Sequence, residues 1–204
     1  MTDAGRVIAG SARGTRLLSP GTGTRPLGDR VKETLFAILE PDLDGARVLD
    51  LFAGSGAGGI EAMSRGAADA FFVERDPGAC QAIVENLRRA RVSERASVVC
   101  VDAIKYLRER ATSDGPFDLV LIDPPYAEPQ LLEAALVSVA AAPALLSPRA
   151  WVVAKHFWRT PPPQAVGLLA SVRTRRFGET ALAFYRQVGP SLTEPPPRPQ
   201  ETAR

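Results

Sequence analysis

From residue 46 onward, apolar positions in this 204-residue chain alternate between two rhythms. Short dense runs at 46–51, 69–74, 97–101 and 117–122 read as buried strands. Between and after them, 57–65, 77–91, 103–112 and 128–142 carry apolar residues at helical spacing. Ala150-Trp151-Val152-Val153-Ala154 is a fifth strand candidate. Val172 to Phe177 and Ala181 to Arg186 flank Gly178-Glu179-Thr180 and predict a hairpin. Strands and helices joined by short loops imply right-handed crossovers, hence an α/β fold. The expectation is a mostly parallel seven-stranded sheet with a C-terminal antiparallel hairpin and helices on both faces.

The flanks differ. Residues 1–26 are rich in Gly, Arg, Ser and Thr, with a short hairpin expected around Val7-Ile8-Ala9-Gly10 and Thr15-Arg16-Leu17-Leu18. A helix follows, with Asp29 as its expected cap, Val31, Leu35, Phe36 and Leu39 as its apolar face, and Pro41 as its end. Residues 189–204 hold five prolines and read as a disordered tail. The expected division is a basic arm over 1–40, a main domain over 41–188 and a tail over 189–204.

Composition narrows the class. A 45% hydrophobic content suits one soluble domain that needs no disulfide or metal to hold it. The two cysteines, Cys80 and Cys100, lack paired-ligand spacing, which points to a reducing compartment and no metal site. Neither a signal peptide nor an apolar run of membrane-spanning length is present, so the chain reads as cytoplasmic. The net charge is only +2, yet residues 1–32 carry six basic against two acidic residues, a local excess of +4. Arg6, Arg13, Arg16, Arg25, Arg30 and Lys32 are therefore candidates to contact a polyanion; the bland reading is a solvated arm.

The chemistry concentrates at strand ends. Asp123-Pro124-Pro125-Tyr126 follows Phe117-Asp118-Leu119-Val120-Leu121-Ile122. The prolines stiffen the exit, holding an acid, a carbonyl and an aromatic ring together. Such a group can accept both protons of an exocyclic amino group while the ring stacks on a flat base. A proline-rich turn capping a strand is the plain alternative. Asp50 runs into Phe52-Ala53-Gly54-Ser55-Gly56, a glycine-rich turn that lets a ligand approach the backbone. Gly54, Gly56 and Gly59 match G-x-G-x-x-G spacing, but a pyrophosphate there would meet the Asp50 carboxylate, whereas an ammonium would be attracted. Glu74, followed by Arg75, is placed to accept from ribose hydroxyls. Asp102 and the Ala103 backbone can meet an adenine edge, with Asp102 also a candidate helix cap. The four acids Asp50, Glu74, Asp102 and Asp123 end four successive strands, where open α/β sheets bind ligands. Their order suits an ammonium head, a ribose, an adenine and an amino-bearing substrate, and S-adenosylmethionine supplies the first three.

This series resembles the Rossmann-like class I S-adenosylmethionine-dependent methyltransferases of the amino-group type. Arg6-Val7-Ile8-Ala9-Gly10, the block from Arg25-Pro26 through Asp29 to Phe36, Gly58 with Glu61-Ala62, Ser64-Arg65-Gly66-Ala67 and Phe177-Gly178-Glu179-Thr180 are similar to the RsmD family over residues 5–187. That resemblance implies methyl transfer to N2 of a guanine in 16S ribosomal RNA. It further implies a monomer acting on RNA within a small-subunit assembly particle, without metal. Two departures stand out: Leu27 where the family often has threonine, and Lys155-His156 where it often has an acid after the fifth strand. Competing readings are amino-group transfer to another RNA or DNA base or to a protein glutamine, a nicotinamide-dependent oxidoreductase, and a non-catalytic RNA-binding module.

Overall fold

The structure, a computed structural model, describes residues 3–21 and 27–188. Arg25 and the 189–204 tail lie outside the described residues. The chain runs β1 (Asp3–Arg6), β2 (Arg16–Leu18), α1 (Asp29–Leu39), β3 (Arg47–Leu51), α2 (Ala57–Ser64), β4 (Asp69–Glu74), α3 (Pro77–Ala90) and β5 (Ala96–Cys100). It continues through α4 (Ala103–Glu109), α5 (Ala111–Asp114), β6 (Phe117–Ile122), α6 (Gln130–Ala140), β7 (Leu146–Phe157), β8 (Ala165–Val166), β9 (Leu169–Phe177) and β10 (Thr180–Gln187). The main sheet has the order β5-β4-β3-β6-β7-β10-β9-β8. Pairs from β5 to β7 are parallel, and β10, β9 and β8 join antiparallel.

The strands alternate between two cores, which is why their sequences read as nearly continuous apolar runs. Val48, Phe72, Leu119 and Leu121 pack under α1, α2 and α3, whereas Leu49, Val73, Val120 and Ile122 pack under α4, α5 and α6. From β3 the chain winds outward through β4 to β5, then returns to lay β6 on the other side of β3. That reversal opens a crevice at the carboxyl ends of β3 and β6.

Several elements depart from expectation. The sheet has eight strands rather than seven, because the two-residue β8 pairs along the outer edge of β9. The 103–112 helix breaks at Arg110, whose carbonyl is taken by the Ser113 hydroxyl at 2.7 Å. The 128–142 helix shortens to α6, bounded by Pro129 before it and by the Pro143–Leu145 turn after it. Asp29 is not the cap of α1. Gly28 takes that place, and Asp29 sits in the first turn, where its charge favours the helix N-terminus and pairs with Arg6 at 3.3 Å. The N-terminal hairpin forms from β1 and β2, earlier than expected on its first side. Beyond Val7, which still bonds Thr15 and Gly14 across the hairpin, the chain leaves the ladder, and Ile8 and Ala9 donate their N–H groups to the Glu61 carboxylate at 2.7 and 3.0 Å.

The N-terminal segment is welded to the domain. Ala4, Val7, Ala12 and Leu17 are in the core beneath α1 to α3. Asn86, fully buried on α3, accepts from Leu18 N at 2.7 Å and donates to the carbonyls of Leu18 and Ser55, each at 2.9 Å. One side-chain amide thereby ties the hairpin to the loop at the carboxyl end of β3.

Candidate active site

The β3–α2 loop turns on three left-handed residues, Phe52 (φ 60°), Gly54 (φ 55°) and Gly56 (φ 77°), the last being the N-cap of α2. Phe52 is the costly one, since a left-handed aromatic residue persists only where its surroundings hold it. Two carboxylates do the holding. Glu74 accepts from Gly54 N at 2.9 Å through one oxygen, and from Arg75 N and Asp76 N at 2.8 and 2.9 Å through the other. Asp50, 4% exposed, accepts from Gly59 N at 2.8 Å. A Cβ on Gly58 would stand 3.2 Å from the Asp50 carboxylate, and one on Gly59 would stand 2.4 Å from the Phe72 ring, so both glycines serve close approach of α2 to the sheet. Burial pushes the Asp50 carboxyl up to about 8, against the Gly59 hydrogen bond and with help from the charges of Asp123 and Glu74. In the free protein this group holds a proton at neutral pH, and a neighbouring cation would release it.

At the end of β4, Asp76 caps α3 by accepting from Ala79 N at 2.7 Å. At the end of β5, Asp102 caps α4 with one oxygen, which accepts from Ile104 N and Lys105 N, each at 3.0 Å. Capping leaves its second oxygen available.

Asp123 continues from β6, its N–H donating to Leu51 O at 3.3 Å. Lys155 Nζ lies 2.5 and 2.8 Å from its two oxygens. Burial raises the Asp123 pKa, and the charge and hydrogen bond of Lys155 oppose that rise. Pro124 is buried, Pro125 exposed, and the Tyr126 ring is 38% exposed. Among the described residues, the Pro124 carbonyl accepts no hydrogen bond. Tyr126 is held at its far end by a 2.9 Å hydrogen bond shared between its hydroxyl and that of Thr180, and by the Phe157 ring at 6.4 Å. Arg75 pairs with Glu128 at 2.5 Å, clasping the β4 loop to the segment after Tyr126.

These groups face one cleft of about 500 Å³. It is lined by Asp50, Phe52, Ala53 and Gly54 from the first loop and by Glu74, Arg75 and Ala103 from the next two. The whole of Asp123-Pro124-Pro125-Tyr126 completes the wall. Gly56 and Asp102 stand outside the lining and shape it as caps of α2 and α4. Sequence reasoning missed several lining residues, among them Leu27, Asp76 and Lys155, the last as the partner of Asp123. The register of β6 on β7, with Ile122 opposite Ala154, sets 155 beside 123, and no local sequence pattern encodes that register. His156 turns the other way, 4% exposed, with its pKa lowered by burial and Nδ1 2.8 Å from Phe157 O. It does not reach the cleft.

The basic residues of the arm divide. Lys32 is fully buried, bonding the Arg6 carbonyl and lying 3.7 Å from Asp29, so it is not available to a phosphate. Its amphipathic position on α1, one residue from Val31, had concealed this. Arg6, Arg13, Arg16 and Arg30 are exposed, with Arg6 paired to Asp29. Among the described residues no cluster of ligands could hold a metal, both cysteines are free, and no helix is long and apolar enough to cross a membrane.

Residues 5–186 match the protein family described as "Conserved hypothetical protein 95". The chain is 40% identical over 185 residues to "Putative rRNA methyltransferase YlbH" of Bacillus subtilis, covering 90% of this chain and 100% of that protein. It is 43% identical over 122 residues to "Ribosomal RNA small subunit methyltransferase D" of Escherichia coli, a match covering 59% of this chain and 60% of that one. Among solved structures, "Putative methyltransferase yhhF from Escherichia coli" superposes with a TM-score of 0.80 at 32% identity, covering 91% of this chain and 98% of that one.

Proposed function

The chain belongs to the conserved hypothetical protein 95 family and has its Rossmann-like methyltransferase fold, and we propose that it methylates the exocyclic N2 of a guanine in 16S ribosomal RNA with S-adenosylmethionine as donor. The observation that carries this reading is a single one: the acid-lined loops of β3 and β4 and the Ala103 backbone share one cleft with Asp123-Pro124-Pro125-Tyr126. The names of the B. subtilis and E. coli relatives support ribosomal RNA as the substrate.

The residues fit the donor. A buried Asp50 suits an ammonium, Glu74 faces where ribose hydroxyls would lie, and Ala103 offers backbone to a base edge. When bound, S-adenosylmethionine supplies an electrophilic methyl group. The chain's own part is to orient the nucleophile. Asp123 and the Pro124 carbonyl accept the two protons of the amino group, favouring a pyramidal nitrogen whose lone pair points into the cleft. Lys155 contacts both Asp123 oxygens and holds the carboxylate in place. Tyr126, anchored through Thr180, offers its face to a base extruded from the RNA, offsetting part of an unstacking cost of a few kcal/mol. The exposed arginines of the arm hold phosphates and set register. We further propose that the substrate is RNA in a small-subunit assembly particle, met by a monomer.

The nicotinamide reading loses its footing in the glycine loop. The N–H groups of Gly54 and Gly59, which a pyrophosphate would need, already donate to Glu74 and Asp50. The test is to supply labelled S-adenosylmethionine and 16S ribosomal RNA and map the product. One N2-methylguanine is expected; label on an adenine or cytosine amino group, or on protein alone, would replace this assignment. S-adenosylhomocysteine should raise the melting temperature and NAD should not.

The state of Asp50 makes a further prediction. Its carboxyl titrates at about 8 in the free protein and must fall when an ammonium arrives, so binding releases a proton. Affinity for S-adenosylhomocysteine should therefore rise with pH below about 8, by up to about tenfold per pH unit, and level off above it. Calorimetric titrations from pH 6 to 8.5 measure this. A flat profile in the parent protein, or an unaltered slope in Asp50→Asn, would exclude the coupling.

A further inference from the structure

The hairpin β9–β10 brings a second basic surface to the mouth of the cleft. β10 runs antiparallel to β7 with Thr180 opposite Phe157, so the hairpin tip lies at the same sheet edge as Asp123. From the cleft outward the side chains form a continuous series. Lys155 sits 5.2 Å from the Tyr126 ring, Tyr126 lies 6.4 Å from Phe157, and Phe157 lies 6.5 Å from Trp158. On Trp158 lie two guanidinium groups, Arg176 at 3.5 Å and Arg159 at 5.0 Å from the ring centroid.

The charge on this tip is one-sided. Residues 158–180 hold Arg159, Arg173, Arg175 and Arg176 against the single acid Glu179. All four arginines are exposed, and among the described residues none of them makes an ion pair. The contrast is Arg186, which stacks on Trp151 at 3.4 Å but is neutralised by Asp42 at 2.9 Å. Arg176 is also preset. Its Nε donates to Gly178 O at 2.9 Å, and its face lies on the indole, which leaves four terminal N–H donors directed along the guanidinium edge. A stacked, tethered guanidinium loses little freedom on meeting a phosphate and can bind it bidentately.

We infer that this Trp158–Arg176 platform, with Arg159, binds backbone phosphates of the RNA strand next to the nucleotide in the cleft. The inference rests on the reading of RNA as substrate given above. It assigns the hairpin a role in holding the strand, separate from the arm and from the amino-group site.

The test is binding of the full chain to full-length 16S ribosomal RNA over a series of salt concentrations, with Arg159→Gln/Arg176→Gln beside the parent. Loss of two phosphate contacts should reduce the slope of log K against log salt by about 1.4–1.8. The melting shift with S-adenosylhomocysteine should match that of the parent. Arg108→Gln/Arg110→Gln, exposed at the far end of α4, removes the same charge elsewhere and should leave the slope in place. An unchanged slope in the platform variant, or an equal fall in the control variant, overturns the platform. A parent that binds the RNA and methylates it while the platform variant keeps its slope overturns the platform alone; a parent that neither binds nor methylates overturns the substrate reading with it.

Discussion

Asp123→Ala is expected to lower kcat for methyl transfer by about 10²–10³-fold while leaving the affinity for S-adenosylhomocysteine within a factor of about three of the parent, the loss typical of removing one preorganised polar partner at a reacting centre. The separation follows from position. Asp50 and Glu74 tie down the loops of β3 and β4, whereas Asp123 opens the tetrapeptide after β6. Alanine also strands the Lys155 ammonium, whose side chain is 11% exposed, and that alone would lower stability. The double variant Asp123→Ala/Lys155→Met removes the stranded charge. It should recover most of the lost melting temperature and none of the activity. Asp123→Asn keeps one acceptor oxygen and should fall between parent and alanine. Single-turnover kinetics and thermal melts on the three variants measure this, and full activity in either alanine variant would refute the role given to Asp123.

Much of this cleft was legible because it rests on local rules. β4 and β6 have the bounds expected from their apolar runs, since a strand buried on both faces leaves a continuous signature. The acids at the ends of β3, β4 and β6 follow from that strand reading alone. What escaped was set by tertiary pairing. Lys155 faces Asp123 because β6 and β7 are neighbours in a particular register, which no local pattern encodes. Lys32 looks like a surface base in sequence, yet the fold folds the arm over it and supplies the Arg6 carbonyl. Ile8 and Ala9 read as strand but bond a helix side chain 53 and 52 residues away. The stacking of Arg176 on Trp158 joins the end of β9 to the residue after β7, and that meeting depends on β10 being inserted between them.

The arm's dependence on one carboxylate leads to the other large effect. Glu61→Ala is expected to destabilise the protein by about 3–5 kcal/mol, because Glu61 is fully buried on α2 and its two oxygens serve three donors. Ile8 N and Ala9 N lie 2.7 and 3.0 Å away, and Arg65 Nε lies 2.8 Å away. The same charge supports the buried Lys32 ammonium, whose pKa burial lowers and Glu61 raises again. Removing it leaves two backbone donors and two cations short of partners at once. Glu61→Gln preserves shape and one acceptor, so it should cost less than alanine and more than a surface change. The first region to loosen should be residues 7–18, whose amide exchange would speed relative to that of β3, β4 and β6. Because the exposed Arg13 and Arg16 ride on that segment, RNA affinity should fall further than affinity for S-adenosylhomocysteine, whose site also rests on the loops after β4, β5 and β6. Chemical denaturation and amide exchange on both variants measure the effect. A Glu61→Ala protein with the parent's stability would show that the arm is held by its apolar residues, Val7 and Leu17 among them, and that the carboxylate only follows.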